Sequence, residues 1–287
     1  MFEMRPRSGP LAAALDHNTR AWDRLADTKA ALARPAVDAA FTDPRGWLGA
    51  GGWVAGAGQG RAWLPQRLDG LEVLCLAAGG GKHGPLYAAA GGRVTVLDCS
   101  PAMLALDRQV AAERRIDYGI VQGSMDDLSM FAAGRFDLVI HPVSTCYLPE
   151  VGRVFQEVAR VLRAGGLYVS QHKSPVSLQS SLEPGPRGCY EVRHPVAGTQ
   201  AGGPLPAEPP SRLREHGTQE FVHSLTTILG GICGAGFVIE DVSEPDHADA
   251  AAAVGSFGHR GCFLPPYLRV LARRQESRQP AGLASAS

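Results

Sequence analysis

Residues 71–85, LEVLCLAAGGGKHGP, turn an apolar run directly into three consecutive glycines. A short apolar run that ends at glycine predicts a buried strand over 71–77, and the following segment predicts a helix over 83–90. Residues without a Cβ allow a tight turn and a close approach of backbone to a ligand, while a helix N-terminus favours negative charge. This stretch therefore predicts a strand–turn–helix unit with a ligand site at the turn.

The residues after this unit continue the pattern, with short apolar runs separated by stretches long enough for a helix. It is typical of a parallel sheet built from strand–helix–strand units and predicts a doubly wound α/β fold. Ser100 and Pro101 form a helix start signal. The predicted strands lie at 93–98, 118–123, 136–141, 166–172, 237–242 and 267–274, and the predicted helices at 101–114, 150–163 and 217–234.

Segments on either side of this pattern have a different character. Residues 1–65 combine helical spacing over 11–33 with a Gly- and Trp-rich stretch at 46–65, which we interpret as an N-terminal cap that ends in a loop. The α/β domain is expected over 66–274, with a proline-rich irregular insertion at 174–216. Residues 275–287 are expected to be a disordered tail.

Composition limits the possible partners. Lys plus Arg equals Asp plus Glu at 28 each, so no long-range field gathers nucleic acid or anionic lipid. No apolar run reaches the about 20 residues of a membrane span, and the N-terminus has no convincing secretion signal. The six cysteines form no C-x-x-C pair. We expect a cytoplasmic protein with reduced thiols, no nucleic acid and no membrane as partner, and a monomeric or homodimeric state.

A second ligand-binding residue follows the next predicted strand. Asp98 ends that strand 19 residues after Gly79, where a carboxylate can accept hydrogen bonds from both hydroxyls of a ribose. The spacing fits an adenosine ligand. Two cofactors remain open at this point, because Gly79, Gly81 and Gly84 with Asp98 also satisfy the dinucleotide-binding fingerprint.

Four further stretches decide between these cofactors. They are LDCSPAML (97–104), QGSMDDLS (122–129), FDLVIHPVSTCYLPE (136–150) and EVARVLRAGGLYV (157–169). In order and spacing the chain closely resembles the class I S-adenosylmethionine-dependent methyltransferases, well over 66–172 and more loosely over 217–274. The resemblance implies a Rossmann-like, mostly parallel seven-stranded sheet and S-adenosylmethionine as the cofactor.

The resemblance also implies a set of cofactor-binding residues. The glycine turn would line the methionine and ribose side, Asp98 would hold the ribose hydroxyls, and the segment after the third strand would meet the adenine. Three departures from the family pattern are Cys75 in place of an acid, Ala77 in place of the first glycine, and Ser124 in place of an acid. We expect the methyl group at Ala77 to be tolerated if its φ stays below zero, and Asp126 to serve for Ser124. The expected cofactor-binding residues are Ala77, Gly79, Gly81, Asp98, Cys99, Met103, Ser124, Met125, Asp126 and His141.

Candidate catalytic residues follow the fourth and fifth strands. Methyl transfer is an in-line displacement that depends on positioning, although an oxygen or nitrogen acceptor can need a base. His141 is the first candidate base or orienting residue, and Tyr147 is the second; the alternative is that His141 only hydrogen-bonds backbone near the methionine moiety. His172 and Lys173 are expected on the same exposed rim, where either could reach an acceptor, and His172 is the third candidate catalytic residue. Lys82 and His83 either contact the cofactor carboxylate or are solvated.

Two other groups of residues have alternative interpretations. His216, Glu220 and His223 would share one face of the predicted helix, but this spacing does not match known zinc sites, so no metal is expected. Trp22, Trp47, Trp53 and Trp63, with the insertion, could cover the acceptor pocket. Simple packing of at least two of the four tryptophans is the alternative.

The sequence therefore predicts an S-adenosylmethionine-dependent methyltransferase that acts on an unidentified, small-molecule acceptor. An NAD(P)-dependent Rossmann oxidoreductase is the first alternative, since it uses the same glycine pattern. A non-catalytic S-adenosylmethionine-binding protein is the second, and the departures at Cys75, Ala77 and Ser124 are its support.

Overall fold

The computed structural model describes residues 9–50, 62–196, 203–207 and 211–276. Its centre is a seven-stranded sheet of order β3-β2-β1-β4-β5-β7-β6, in which β7 alone runs antiparallel to its neighbours. The seven strands are β1 (Glu72–Leu76), β2 (Arg93–Asp98), β3 (Gly119–Gln122), β4 (Phe136–His141), β5 (Leu162–Lys173), β6 (Phe237–Ser243) and β7 (Tyr267–Arg274). The expected mostly parallel, Rossmann-like sheet is confirmed.

Helices cover both faces of this sheet. Ser100 caps the helix after β2, since its hydroxyl accepts a hydrogen bond from Met103 N at 3.0 Å and Pro101 occupies the first helical position. The α-helices are α1 (Gly9–Asp27), α2 (Pro44–Ala50), α3 (His83–Ala89), α4 (Pro101–Arg114), α5 (Gly152–Val161), α6 (Pro175–Gln179), α7 (Gly231–Gly234) and α8 (Phe257–Gly261). The predicted bounds of α4, β2, β4 and β7 agree with the structure residue for residue.

The order of the strands places a crevice beside β1. The chain moves outward from β1 through β2 to β3, then returns to β4 on the other side of β1. Val73 to Leu76 are fully buried, because a central parallel strand is covered on both faces. Ligands bind at such a reversal, outside the carboxyl ends of the strands.

The predicted loop at 46–65 is wrong at its start. Residues 44–50 form α2, because Asp43 accepts a hydrogen bond from Gly46 N at 2.9 Å and thereby caps the helix. Residues 51–61 lie outside the described residues. Trp63 is fully buried against the sheet, and its Nε1 donates to Asp241 Oδ2 at 2.9 Å.

The predicted helix at 217–234 is wrong over its first half. Helical structure begins with a π-helical turn at Thr226–Gly230 and continues into α7. Upstream, backbone groups are used in long-range hydrogen bonds: Phe221 N donates to Cys146 O at 2.7 Å, and Leu205 N donates to Glu220 O at 2.7 Å. These bonds replace the intrahelical ones, so 218–224 has no regular secondary structure.

The insertion and the chain ends complete the fold. Within 174–216 the structure has the short α6 and an isolated bridge between Ser180 and Val192, in agreement with the predicted irregular insertion. Of the predicted tail, residues 277–287 lie outside the described residues. In the described ranges, no helix is long and apolar enough to cross a membrane.

Candidate functional site

A cavity of about 320 Å³ opens at the carboxyl ends of β1, β2 and β4. The glycine turn forms one side, and α1 forms part of the opposite side with Leu15, Asn18 and Trp22. This is the crevice that the strand order predicts. Its remaining lining comes from Leu32, residues 77–80, Lys82, His83, Asp98, Cys99, Met103, residues 123–125, residues 142–144, Tyr147, Leu148, Gln171, Glu215 and Tyr267.

The turn after β1 has an unusual backbone. Ala77 has φ +48°, so the expectation that its φ stays below zero is wrong. Gly80 and Gly81 also have positive φ, at +109° and +68°. A left-handed conformation costs an alanine roughly 1–2 kcal/mol relative to the ordinary regions. The chain therefore keeps the glycine-like turn of the family pattern although its first glycine is an alanine.

Asp98 joins the turn to the end of β2. Its two carboxylate oxygens accept hydrogen bonds from Gly79 N and from Ser100 N, both at 2.9 Å. Burial raises its pKa, while these backbone hydrogen bonds oppose the rise. A Cβ on Gly79 would lie 3.1 Å from Asp98 and 3.0 Å from Met103, so glycine permits this close approach without displacing either side chain.

A residue that the sequence analysis missed holds the rest of the turn. Asp107 of α4 is fully buried and accepts a hydrogen bond from Gly80 N at 2.8 Å, with Gly81 N as a further donor. Burial raises its pKa to about 7. The sequence did contain a signal, since Asp107 shares the buried face of α4 with Met103 and Val110 at helical spacing.

The other residues expected to bind the cofactor divide into two groups. The first group lines the cavity and consists of Cys99, Met103, Ser124 and Met125. Burial and the nearby Asp98 charge raise the pKa of the Cys99 thiol to about 12. Two other expected cofactor residues, Gly81 and Asp126, lie behind this lining. The Ser124 hydroxyl donates to the Asp126 carboxylate, which places Asp126 as a support for Ser124.

His141 lies one layer behind the cavity wall. It is fully buried, and its Nδ1 lies 2.7 Å from the Tyr168 hydroxyl while its Nε2 lies 2.6 Å from Ser144 Oγ. Burial lowers the pKa of His141 to about 3, so the ring is neutral at ordinary pH. Ser144 does line the cavity, so His141 reaches the site through that hydroxyl.

His172 and Lys173 do not form the expected exposed rim. Both lie inside β5 and are buried, because residues 237–243 and 267–274 extend the sheet beyond this strand. The His172 ring hydrogen-bonds to Thr145 Oγ1 and Ser170 Oγ, each at 2.9 Å. Burial lowers the pKa of His172 well below its ordinary value.

A buried ionic cluster underlies the far end of the cavity. Lys173 Nζ lies 2.5 Å from Glu215 Oε2 and 2.8 Å from Glu220 Oε1. Arg214 Nε lies 2.9 Å from the other oxygen of Glu220, although without hydrogen-bond geometry. Tyr147, one of the predicted catalytic residues, contacts Glu215. Burial is the main cause that raises the pKa of the Tyr147 hydroxyl, and the negative charge of Glu215 is the second.

The three residues proposed to share a helix face are separated. His216 is exposed, Glu220 belongs to the buried ionic cluster, and His223 Nε2 hydrogen-bonds to the carbonyls of Thr145 and Leu148. The reason is that the chain between these residues does not form the predicted helix. Among the residues that the structure describes, no group of three or more His, Cys, Asp or Glu side chains could hold a metal ion.

The tryptophans do not form a common cover. Trp22 lines the cavity and packs edge-on against Tyr147, with 5.7 Å between ring centroids. Trp63 lies in the core on the other side of the sheet, and Trp47 is half exposed. Trp53 lies outside the described residues. Packing, the alternative interpretation, therefore describes Trp63, and only Trp22 among the described tryptophans lines the site.

Comparisons with known proteins agree with this geometry. The methyltransferase-domain family model matches residues 74–170. The uncharacterized methyltransferase YbaJ of Bacillus subtilis is 34% identical over 236 residues, covering 79% of this chain and 89% of that protein. The chain belongs to the class I S-adenosylmethionine-dependent methyltransferases. The oxidoreductase alternative is not favoured.

Solved structures of other methyltransferases share the fold of this protein. A crystal structure of an S-adenosylmethionine-dependent methyltransferase from Mesorhizobium loti is 27% identical, with a TM-score of 0.58, and the match covers 75% of this chain and 95% of that one. A methyltransferase structure from Listeria monocytogenes has a TM-score of 0.57 at 18% identity, with 75% and 94% coverage, and shows the fold alone. The methyltransferase fold therefore extends well beyond the matched domain.

Proposed function

We propose that this methyltransferase transfers the methyl group of S-adenosylmethionine to a small-molecule acceptor that binds in the same cavity. The single observation that supports this is the two-ended lining of that cavity. The glycine turn and Asp98 lie at one end, while Tyr147, Gln171, Glu215 and Tyr267 lie among the other lining residues. A volume of about 320 Å³ falls within the usual range of small-molecule pockets.

The residues at the glycine-turn end fit the cofactor that the family uses. Asp98 presents a carboxylate to the cavity, which suits a pair of ribose hydroxyls. A Cβ on Gly79 would be in tight contact with Asp98 and Met103, and glycine suits a turn where backbone approaches a ligand closely. In our assignment Ala77, Gly79 and Lys82 bind the methionine part, Asp98 the ribose, and Met103, Ser124 and Met125 the adenine.

The chemistry that the cofactor supplies is an electrophilic methyl carbon on a sulfonium. The acceptor's lone pair forms the new bond to this carbon, the carbon–sulfur bond breaks with its electrons retained by sulfur, and the acceptor's proton leaves to a base or to water. The protein's own residues position the acceptor and exclude water. Trp22 and Tyr147 supply an apolar wall for this purpose, and His141 orients Ser144.

His141 is assigned a positioning role because both of its ring nitrogens are hydrogen-bonded and its imidazole does not line the cavity. His172 is placed the same way, between Thr145 and Ser170. Tyr147 touches the cavity directly and is the one of the three candidate catalytic residues that could contact an acceptor.

A small molecule is favoured over a macromolecule by shape and charge. The cavity is bounded by α1 and by the segment around Glu215, and the chain carries no net charge that would attract nucleic acid.

The function is tested by incubating the protein with metabolite extracts and a deuterated-methyl form of the cofactor. Mass spectrometry should detect labelled small molecules, and calorimetry should detect S-adenosylhomocysteine binding but no NAD binding. Tight S-adenosylhomocysteine binding without any labelled product would instead support a non-catalytic binding protein. Binding of NAD alone would contradict the cofactor assignment.

A further inference from the structure

Glu215 brings a carboxylate to the cavity from the segment that follows the insertion. Its side chain is only 7% exposed, and it lines the cavity together with Tyr147, Gln171 and Tyr267. Burial alone would raise the pKa of Glu215, but the charge of Lys173 and hydrogen bonds from its neighbours outweigh burial and lower that pKa. Glu215 therefore carries a negative charge in a poorly solvated position.

The cation that balances Glu215 is turned away from the cavity. Lys173 Nζ donates to Leu213 O at 2.7 Å, to Glu215 at 2.5 Å and to Glu220 at 2.8 Å. An ammonium group has three N–H donors, so all of them are used by protein acceptors. Lys173 does not line the cavity and cannot donate to a ligand there.

Three other cavity-lining residues, namely Tyr147, Gln171 and Tyr267, carry no positive charge of their own. Burial raises the pKa of both Tyr147 and Tyr267, so their hydroxyls stay neutral. Gln171 accepts a hydrogen bond from Arg269 Nε at 2.7 Å through its side-chain oxygen, which leaves its NH₂ group as the neutral donor. Lys82 is the one lysine or arginine among the described residues that line the cavity, and it belongs to the glycine turn.

These observations describe a wall that combines two tyrosine rings with one carboxylate, whose partner cation, Lys173, lies behind the wall. A carboxylate of this kind accepts hydrogen bonds and attracts cations, while a like charge placed against it is strongly unfavourable. We propose that the acceptor presents a neutral or cationic N–H or O–H group to the Glu215 carboxylate, and that this wall rejects acceptors with an anionic group in that position. The inference rests on the proposed function, since it names the class of acceptor for the same cavity.

The test uses three probes with one skeleton and different charge: 2-phenylethylamine, 2-phenylethanol and phenylacetate. Binding to the full-length protein saturated with S-adenosylhomocysteine is measured by saturation-transfer NMR at millimolar probe concentrations. We expect the amine and the alcohol to bind and phenylacetate to bind about tenfold more weakly or not at all. Glu215→Gln should reduce this difference to within about threefold, because it removes the charge and keeps the shape.

A matched control is Glu150→Gln, which removes an exposed carboxylate from the loop that carries Tyr147 and should keep the wild-type preference. Phenylacetate binding to the wild type as tightly as the amine would overturn the inference, as would binding of none of the three probes. An unchanged preference in folded Glu215→Gln would overturn it too. The comparison of the three probes on the wild-type protein tests the inference by itself, even if Glu215→Gln does not fold. Calorimetry of S-adenosylhomocysteine on the same sample separates the two proposals, because loss of that binding would contradict the proposed function instead.

Discussion

The Asp98 carboxylate accepts a hydrogen bond from the backbone N–H of Gly79, with 2.9 Å between Gly79 N and Asp98 Oδ2. This bond ties the turn after β1 to the end of β2, and a second bond from Ser100 N holds the other oxygen. A carboxylate in this position shapes the turn and also faces the cavity. One side chain thus organises the site and presents a charge to its ligand.

Asp98→Asn should weaken S-adenosylhomocysteine binding by about tenfold or more, because hydrogen bonds to a charged group are worth roughly 1.5–3 kcal/mol. Isothermal titration calorimetry measures the dissociation constant, and circular dichroism checks the fold. Asp117→Asn, at an exposed carboxylate, should leave the constant unchanged. If Asp98→Asn binds as tightly as the wild type, the ribose assignment is wrong.

Ala77→Gly should stabilise the protein. The left-handed backbone at Ala77 costs the folded state about 1–2 kcal/mol with alanine and little with glycine. Against this gain, glycine gives the unfolded chain more conformational freedom, which lowers stability by about 0.5–1 kcal/mol. The expected net gain in the free energy of unfolding is therefore up to about 1.5 kcal/mol, and urea denaturation measures it. The neighbouring Ala78 is a matched control, since it has no positive φ, and Ala78→Gly should lower stability. A loss of stability in both variants would contradict the strain at Ala77.

Asp107→Asn should reveal the titration of the buried carboxyl group. Burial raises the pKa of Asp107 to about 7 in the folded protein. The uptake of this proton therefore stabilises the folded state, fully so at pH values below the ordinary pKa of Asp. This contribution to stability is lost as the pH rises to about 7. The stability of the wild type relative to Asp107→Asn should therefore fall between about pH 4 and pH 7, by at most about 1.4 kcal/mol per pH unit. Urea unfolding across this range measures the difference. A pH-independent difference would show that Asp107 does not titrate there.

His141→Gln should show the opposite dependence. Burial lowers the pKa of His141 from about 6.5 to about 3, so the neutral ring contributes stability above about pH 6.5 that is lost as pH falls towards 3. The stability of the wild type relative to His141→Gln should fall as the pH is lowered from about 6.5. An NMR titration of the His141 ring gives an independent check, since protonation near pH 6.5 would contradict a buried neutral imidazole.

Lys173→Met should destabilise the protein by about 3–5 kcal/mol, because it leaves Glu215 and Glu220 without their shared cation. Thermal or urea unfolding measures the loss. Arg67→Met removes one partner of an exposed ion pair, in which both side chains are more than half exposed, and should change stability by less than about 1 kcal/mol. Similar small effects of both substitutions would mean that the cluster is not energetically important.

Much of the fold could be predicted from local patterns. The strands around the crevice are short apolar runs, and α4 starts at Ser100 and Pro101, so their bounds follow from burial and capping alone. Asp98 could be identified in the same way, since it ends a predicted strand at a fixed distance from Gly79. These features depend on neighbours in the sequence.

The rest depends on contacts between distant residues. His172 looked exposed because it follows an apolar run, yet β7 pairs beside it and buries it. Glu220 looked like part of a helix face, yet its backbone pairs with Leu205 and its carboxylate with Lys173. Asp107 was overlooked because a carboxylate on a helix is usually solvated; its spacing from Met103 and Val110 indicates the buried face, but its partner, Gly80 N, is known only from the structure.

Asn18 of α1 donates through Nδ2 to the carbonyls of Tyr147 and Gln219, and its Oδ1 accepts from Gln219 N. Three parts of the chain that are far apart in sequence therefore meet at one amide beside the cavity. Any displacement of Tyr147 or Gln219 away from α1 would break hydrogen bonds to this amide, so the Asn18 side chain ties together the three segments that meet beside the cavity.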